Sequence, residues 1–177
     1  MRKVVAYELL SLDGVAEDPN EFVADWDEAM AENLARVIGT QDAVLLGRRN
    51  WDEWADFWQT SDIEPFATFI NGVQKYVVTS TPITRDWPDT TVVEGDLAEF
   101  VSGLKQQPGG DIGIHGSISL AQSLIEAGLV DVLSVVIAPA VHARGRKLLD
   151  GVSARRLSLI RGVTSPTGYL LLDYELN

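Results

Sequence analysis

The sequence predicts a single α/β domain over residues 1–177, built on a mostly parallel central sheet flanked by helices, with an antiparallel hairpin at its carboxyl end. Three observations predict it. Short runs rich in β-branched and aliphatic residues alternate with segments of helical periodicity. The last two strand-like runs flank Ser165-Pro166-Thr167-Gly168, a strong hairpin signal. A chain of 177 residues with 46% hydrophobic content suffices for one sizeable core, and no repeat or flexible linker divides it.

Residues 4–10 are apolar on both alternating faces apart from Glu8, the pattern of a central strand covered on both sides, and Ser11-Leu12-Asp13-Gly14 ends the run. After a polar loop, Trp26, Met30, Leu34, Val37 and Ile38 recur at helical spacing until Gly39, which predicts an amphipathic helix. Residues 42–47 read as a second buried strand and residues 48–58 as a tryptophan-rich helix. There Trp51, Trp54 and Trp58 fall at i, i+3 and i+7, so one face carries three indoles, a pattern read as core or interface packing rather than ligand contact. Residues 75–79 and 91–93 read as strands, 97–106 as a helix, 112–114 as a strand and 117–127 as a helix. Residues 129–138 read as one long strand, and 156–163 with 169–176 as the closing hairpin.

Composition removes several classes of function. Without cysteine there is no disulfide, thiolate zinc site or thiol nucleophile, and two histidines far apart in sequence, His115 and His142, give no reason to expect a metal. Lysine and arginine number 14 against 26 aspartates and glutamates, a net charge of −12, which repels nucleic-acid phosphates and anionic lipid alike. Neither nucleic acid nor membrane is expected as a partner. Glu8 interrupts the amino-terminal apolar stretch, no small-residue cleavage site follows it, and the apolar run at residues 132–141 contains Pro139 and is far shorter than the ~20 residues of a membrane helix. The expectation is a cytoplasmic protein. No G-x-S-x-G nucleophile elbow supports a hydrolase.

Three strand-to-helix junctions remain as candidate chemistry: Leu46-Gly47-Arg48-Arg49-Asn50, Val78-Thr79-Ser80-Thr81 and Ile114-His115-Gly116-Ser117-Ile118. At the carboxyl edge of a parallel sheet such junctions gather backbone N–H groups where α/β proteins bind ligands. Gly47 lets backbone approach a ligand, Arg48 and Arg49 can grip phosphate, the second junction offers hydroxyls, and the third opens a helix whose free N–H groups favour an anion. Each taken alone is as readily a helix cap; together they make a cradle for a dinucleotide. No G-x-G-x-x-G follows the first strand, so a standard Rossmann domain is disfavoured.

Leu46-Gly47-Arg48-Arg49-Asn50-Trp51 resembles the strand-end Gly-Arg motif of dihydrofolate reductases. Ser11-Leu12-Asp13-Gly14, Lys75-Tyr76-Val77-Val78, His115-Gly116-Ser117, Gly128-Leu129-Val130-Asp131 and the stretch from Pro139 to Leu149 resemble, in order, landmarks of the RibD C-terminal, riboflavin-reductase-like branch. The resemblance spans nearly the whole chain. It implies a dihydrofolate reductase-like fold and an NADPH-dependent reductase, NADH being the other cofactor considered. The substrate implied is a small pterin- or pyrimidine-like heterocycle or a carbonyl compound. By similarity Arg48, Arg49 and Asn50, with Thr79 and Ser80, hold the adenosine-side phosphates, Gly116, Ser117 and Ile118 face the pyrophosphate, and Val15 and Ala16 lie near the nicotinamide.

Asp13 and Glu8 are the acids expected nearest the substrate. For Asp13 the alternative is a turn residue bonded to nearby backbone N–H groups; for Glu8 it is an ion pair, against a raised pKa and a role in the site. Glu28 and Glu32 lie where dihydrofolate reductases carry their helix carboxylate, but neither stands in a matching motif. The chain also departs from the pattern at Val78-Thr79-Ser80-Thr81-Pro82, where relatives carry an arginine, and at residues 141–146, so selectivity for a 2′-phosphate and the substrate stay open. The resemblance further implies a homodimer, with residues 129–138 either near the interface or in the core. The competing reading is a non-catalytic nucleotide-binding or dimeric regulatory protein on the same scaffold.

Overall fold

The computed structural model describes residues 1–176. In chain order its elements are β1 (Val4–Leu10), α1 (Glu28–Ile38), β2 (Gln41–Gly47), α2 (Arg48–Phe57), α3 (Phe66–Gly72), β3 (Gln74–Val78), β4 (Thr90–Val92), α4 (Leu97–Gln106), β5 (Asp111–His115), α5 (Ile118–Glu126), β6 (Val132–Ile137), β7 (Leu157–Thr164) and β8 (Leu170–Leu176). The sheet runs β4-β3-β2-β5-β1-β6-β8-β7. Its first six strands pair in parallel, whereas β8 is antiparallel to both β6 and β7.

The unbroken apolar runs have a direct cause, because helices cover both faces of the sheet. On one face Val5, Tyr7, Val44 and Leu46 meet Met30, Leu34, Trp51 and Ile70 from α1, α2 and α3. On the other, Ala6, Leu45 and Ile114 meet Val101, Leu104, Leu124 and Ile125 from α4 and α5. Two helices start on aspartate caps: Asp27 accepts from the Met30 N–H at 2.9 Å and Asp96 from the Glu99 N–H at 2.9 Å. The cap at Asp27 leaves Trp26 outside α1, 41% exposed.

α3 is an element the sequence reading lacks. It has seven residues and starts immediately after Pro65, too short to show a helical period. The expected strand over residues 129–138 is shorter, Val132–Ile137, and lies inside the sheet between β1 and β8. It is therefore core and not an exposed face. The hairpin forms as expected, with Gly168 at φ +92° supplying the left-handed turn residue. Among the described residues no helix is long and apolar enough to cross a membrane.

Candidate functional site

β5 stops short of its neighbours. Its pairing with β1 ends at Tyr7–His115, while β1 continues to Leu10 and β2 reaches Gly47. A cleft of about 770 Å³ opens over this missing strand end, within the range of small-molecule sites. Gly116 turns the chain out of β5 at φ +66°, and a Cβ there would stand 3.3 Å from Trp54 Cζ2, so the position suits only glycine. Ser117 Oγ accepts from the Gly47 N–H at 3.0 Å and Asn50 Nδ2 donates to the His115 carbonyl at 2.8 Å. These two bonds fix the start of α2 against the end of β5. Gly47, Asn50, Gly116, Ser117 and Ile118 thus line one cleft, with Asn50, expected beside Thr79 and Ser80, held instead against the end of β5.

Glu8 occupies the stretch of β1 that has outrun β5. It lines the cleft and is 2% exposed, and its Oε1 has no hydrogen-bond partner. Burial raises its pKa to about 8, only partly offset by the Gly116 N–H, so the carboxyl is mainly protonated at neutral pH. No ion pair forms. Nearby His115 bonds Gln41 Oε1 through Nε2 at 2.8 Å, and burial lowers its pKa to about 3, which keeps the ring neutral.

Asp13 is placed differently from its expected catalytic position. It does not line the cleft; its carboxylate accepts from Ser11 Oγ at 2.7 Å, from the His142 N–H at 2.9 Å and from the Ala143 N–H at 3.0 Å. The His142 N–H, followed by Ser11, holds its pKa down to about 2. The turn alternative describes this geometry, with the carboxylate tying the β1 turn to the loop at residues 142–143. Val15 likewise lies in the core, fully buried and bridged to Lys147, and the next residue, Ala16, reaches the cleft. Glu28 and Glu32 are exposed and off the cleft.

The expected phosphate-gripping residues divide between two recesses. Thr79 and Ser80 line a second hollow over β3 and β4 with Thr81 and Glu94, and Arg48 lines both hollows. Its Nε donates to Asp52 at 2.8 Å, and its Nη1 to Thr81 Oγ1 at 2.6 Å and the Pro82 carbonyl at 2.9 Å. Arg49 is largely exposed and pairs loosely with Glu53 and Glu17 at 3.3 and 3.4 Å.

Several lining groups lie outside the site that the sequence reading drew, Trp26 and Arg146 among them. Trp54, Trp58 and Phe66 form an aromatic wall, with ring centroids 5.9 Å apart for Trp54–Trp58, 5.4 Å for Trp54–Phe66 and 4.8 Å for Trp58–Phe66. Trp51, on α2 with Trp54, is fully buried against Trp87. The spacing of the indoles shows one face but not that the face extends beyond the core; their position directly after the Gly-Arg-Arg junction is the available signal.

Comparison with known proteins agrees with this architecture. The chain is 28% identical to the uncharacterized protein YyaP of Bacillus subtilis, over 99% of this chain and 96% of that one. A protein attributed to riboflavin biosynthesis from Shewanella sp. PV-4 superposes with a TM-score of 0.81 at 15% identity, covering 99% of both chains. Dihydrofolate reductase of Enterococcus faecalis, solved with NADP(H), superposes with a TM-score of 0.65 at 15% identity over 99% of this chain and 96% of that one, so the fold is dihydrofolate reductase-like. The family model for the RibD C-terminal domain matches residues 2–171, and to that family the chain belongs.

Proposed function

We propose that the chain is an NAD(P)H-dependent reductase that reduces a small pterin- or pyrimidine-like heterocycle or a related carbonyl compound. The observation that carries the reading is that the two hollows are neighbours, sharing Arg48, Val78 and Leu97 as lining. A cleft holding an uncharged buried acid lies beside a hydroxyl-lined recess, with Arg48 lining both, and together they suit an extended dinucleotide with its reactive end beside Glu8. The residues fit such a group: Gly116 leaves the floor clear, the first turn of α5 offers unpaired N–H groups, and Arg48, Thr79 and Ser80 surround the outer recess. NADPH is the proposed cofactor, and NADH is the one to test beside it.

When bound, a reduced nicotinamide supplies the hydride. Glu8 is the proton source. Its protonated carboxyl, with Oε1 free, delivers H⁺ to the substrate heteroatom adjoining the carbon that gains hydride, so a C=N or C=O group takes up two electrons and two hydrogens in all. Asn50 and Ser117 act as positioning residues, because they hold the floor of the cleft to α2.

Titration of NADPH and NADH, followed by quenching of Trp54 and Trp58, tests the reading. Saturable micromolar binding is expected, weakened roughly tenfold or more in Arg48→Ala. Absence of binding to both cofactors would end the proposal. Binding without turnover on any of a panel of pterins, flavins and ribityl-pyrimidines would leave a non-catalytic nucleotide-binding protein instead.

A further inference from the structure

Charge is distributed unevenly along the cleft. Among the described residues its basic side chains are Arg48, Arg49 and Arg146. All three stand where helices begin: Arg48 and Arg49 open α2, and Arg146 donates to Ser119 Oγ, in the first turn of α5, at 2.6 Å. Trp58 follows Arg48 by ten residues, which at the helical rise is ~15 Å further along. Phe66 packs against it, and Ile63 and Glu64, just ahead of α3, line the same cleft.

Glu64 is the ionisable group among these neighbours, and its carboxylate accepts from the Thr68 N–H at 3.2 Å and from Thr68 Oγ1 at 2.7 Å. A phosphate placed here would meet a carboxylate and aromatic rings, with no lysine or arginine among Trp58, Ile63, Glu64 and Phe66 to receive it. Desolvating a dianion without a counter-charge is costly. A flat uncharged ring meets the opposite conditions, with a wall of three aromatic side chains packed edge to face on one another and, further in, a buried acid with a free oxygen.

We infer that the substrate is an uncharged, unphosphorylated planar heterocycle, held by Trp54, Trp58 and Phe66 and hydrogen-bonded by Glu8. The inference rests on the reductase reading and narrows it: the arginine end belongs to the cofactor and the aromatic end to the substrate.

Riboflavin and riboflavin 5′-phosphate differ only by the phosphate and serve as the probe pair, with pterin as a smaller ring. Each is titrated calorimetrically into the 177-residue chain, with and without saturating NADP⁺. Riboflavin or pterin is expected to bind at least tenfold more tightly than riboflavin 5′-phosphate. Trp58→Ala should weaken ring binding roughly tenfold, and Ile63→Arg should narrow the gap between the two flavins. Equal or tighter binding of the phosphate ester overturns the inference, and so does a protein that binds NADPH but neither uncharged ring; in both cases the reductase reading survives. Ring binding without NADPH or NADH binding keeps the aromatic pocket and removes the reductase reading. Failure of all the ligands removes both.

Discussion

A carboxyl group buried without a counter-charge holds its proton to unusually high pH, and Glu8 is such a group. Its pKa is raised from 4.5 to about 8, so a role as proton donor requires turnover to fall as pH rises through about 8. Glu8→Gln should retain NADPH binding, lose roughly 100-fold in turnover and lose that alkaline limb; an unaltered pH profile of kcat/KM would remove Glu8 from the chemistry. Stability falls in the same direction, over a window that starts lower. Below pH 4.5 both folded and unfolded chains hold the proton; between 4.5 and about 8 only the folded chain does, so stability declines across that window. Relieving it should make Glu8→Gln more stable than the parent at pH 8, by on the order of 3 to 5 kcal/mol at most, with the advantage absent near pH 4 in thermal melts. Glu8 was legible in the sequence because a lone acid in an apolar strand must be explained. Asp13 was not, since Ser-Leu-Asp-Gly reads equally as a site or a turn, and only the loop arriving from 130 residues away decides between them.

Among the elements, β5 has the least room. A Cβ at Gly113 would collide with Gln41 Oε1 and stand 2.8 Å from His115 Nε2, so the Gln41–His115 bond could not survive it. Gly113→Ala is expected to cost about 1–3 kcal/mol, read as a lowered denaturation midpoint, and to loosen the floor of the cleft. A glycine inside a strand pattern signals such a close approach, although the sequence does not say to what. Element type was legible wherever periodicity ran long enough: β1 and α4 match their expected bounds, and most other elements lie within a residue or two. α3 failed for want of length, and the strand at residues 129–138 was drawn too long because its first residues are apolar for the helix-to-strand turn rather than for the sheet.

Over the whole molecule, the alternation of strands and helices made the fold class readable, but the sheet order was not. Nothing local tells β5 to enter between β1 and β2, and the cleft exists because it does. The order also decides which strands are edges. β7 is one, and it leaves Leu159 and Ile160 more than half exposed and Val163 38% exposed. An edge of this kind invites pairing with a second copy, and we place the expected homodimer contact there instead of at buried β6. Light scattering at two concentrations should report a dimer, and Ile160→Lys should yield a monomer that melts within a few degrees of its monomeric reference. A parent chain that is monomeric at both concentrations would refute the dimer.

The central place of β1 has a consequence for biosynthesis. Its partners on both sides, residues 111–115 and 132–137, are translated long after it, so the first strand leaves the ribosome with nothing to pair against. Such distant pairings make assembly late and comparatively slow, and Val4, Val5 and Ala6 stay open to chaperones meanwhile. The cleft cannot form before β5 is made, so a truncated translation product lacking β6 is expected to be prone to aggregate.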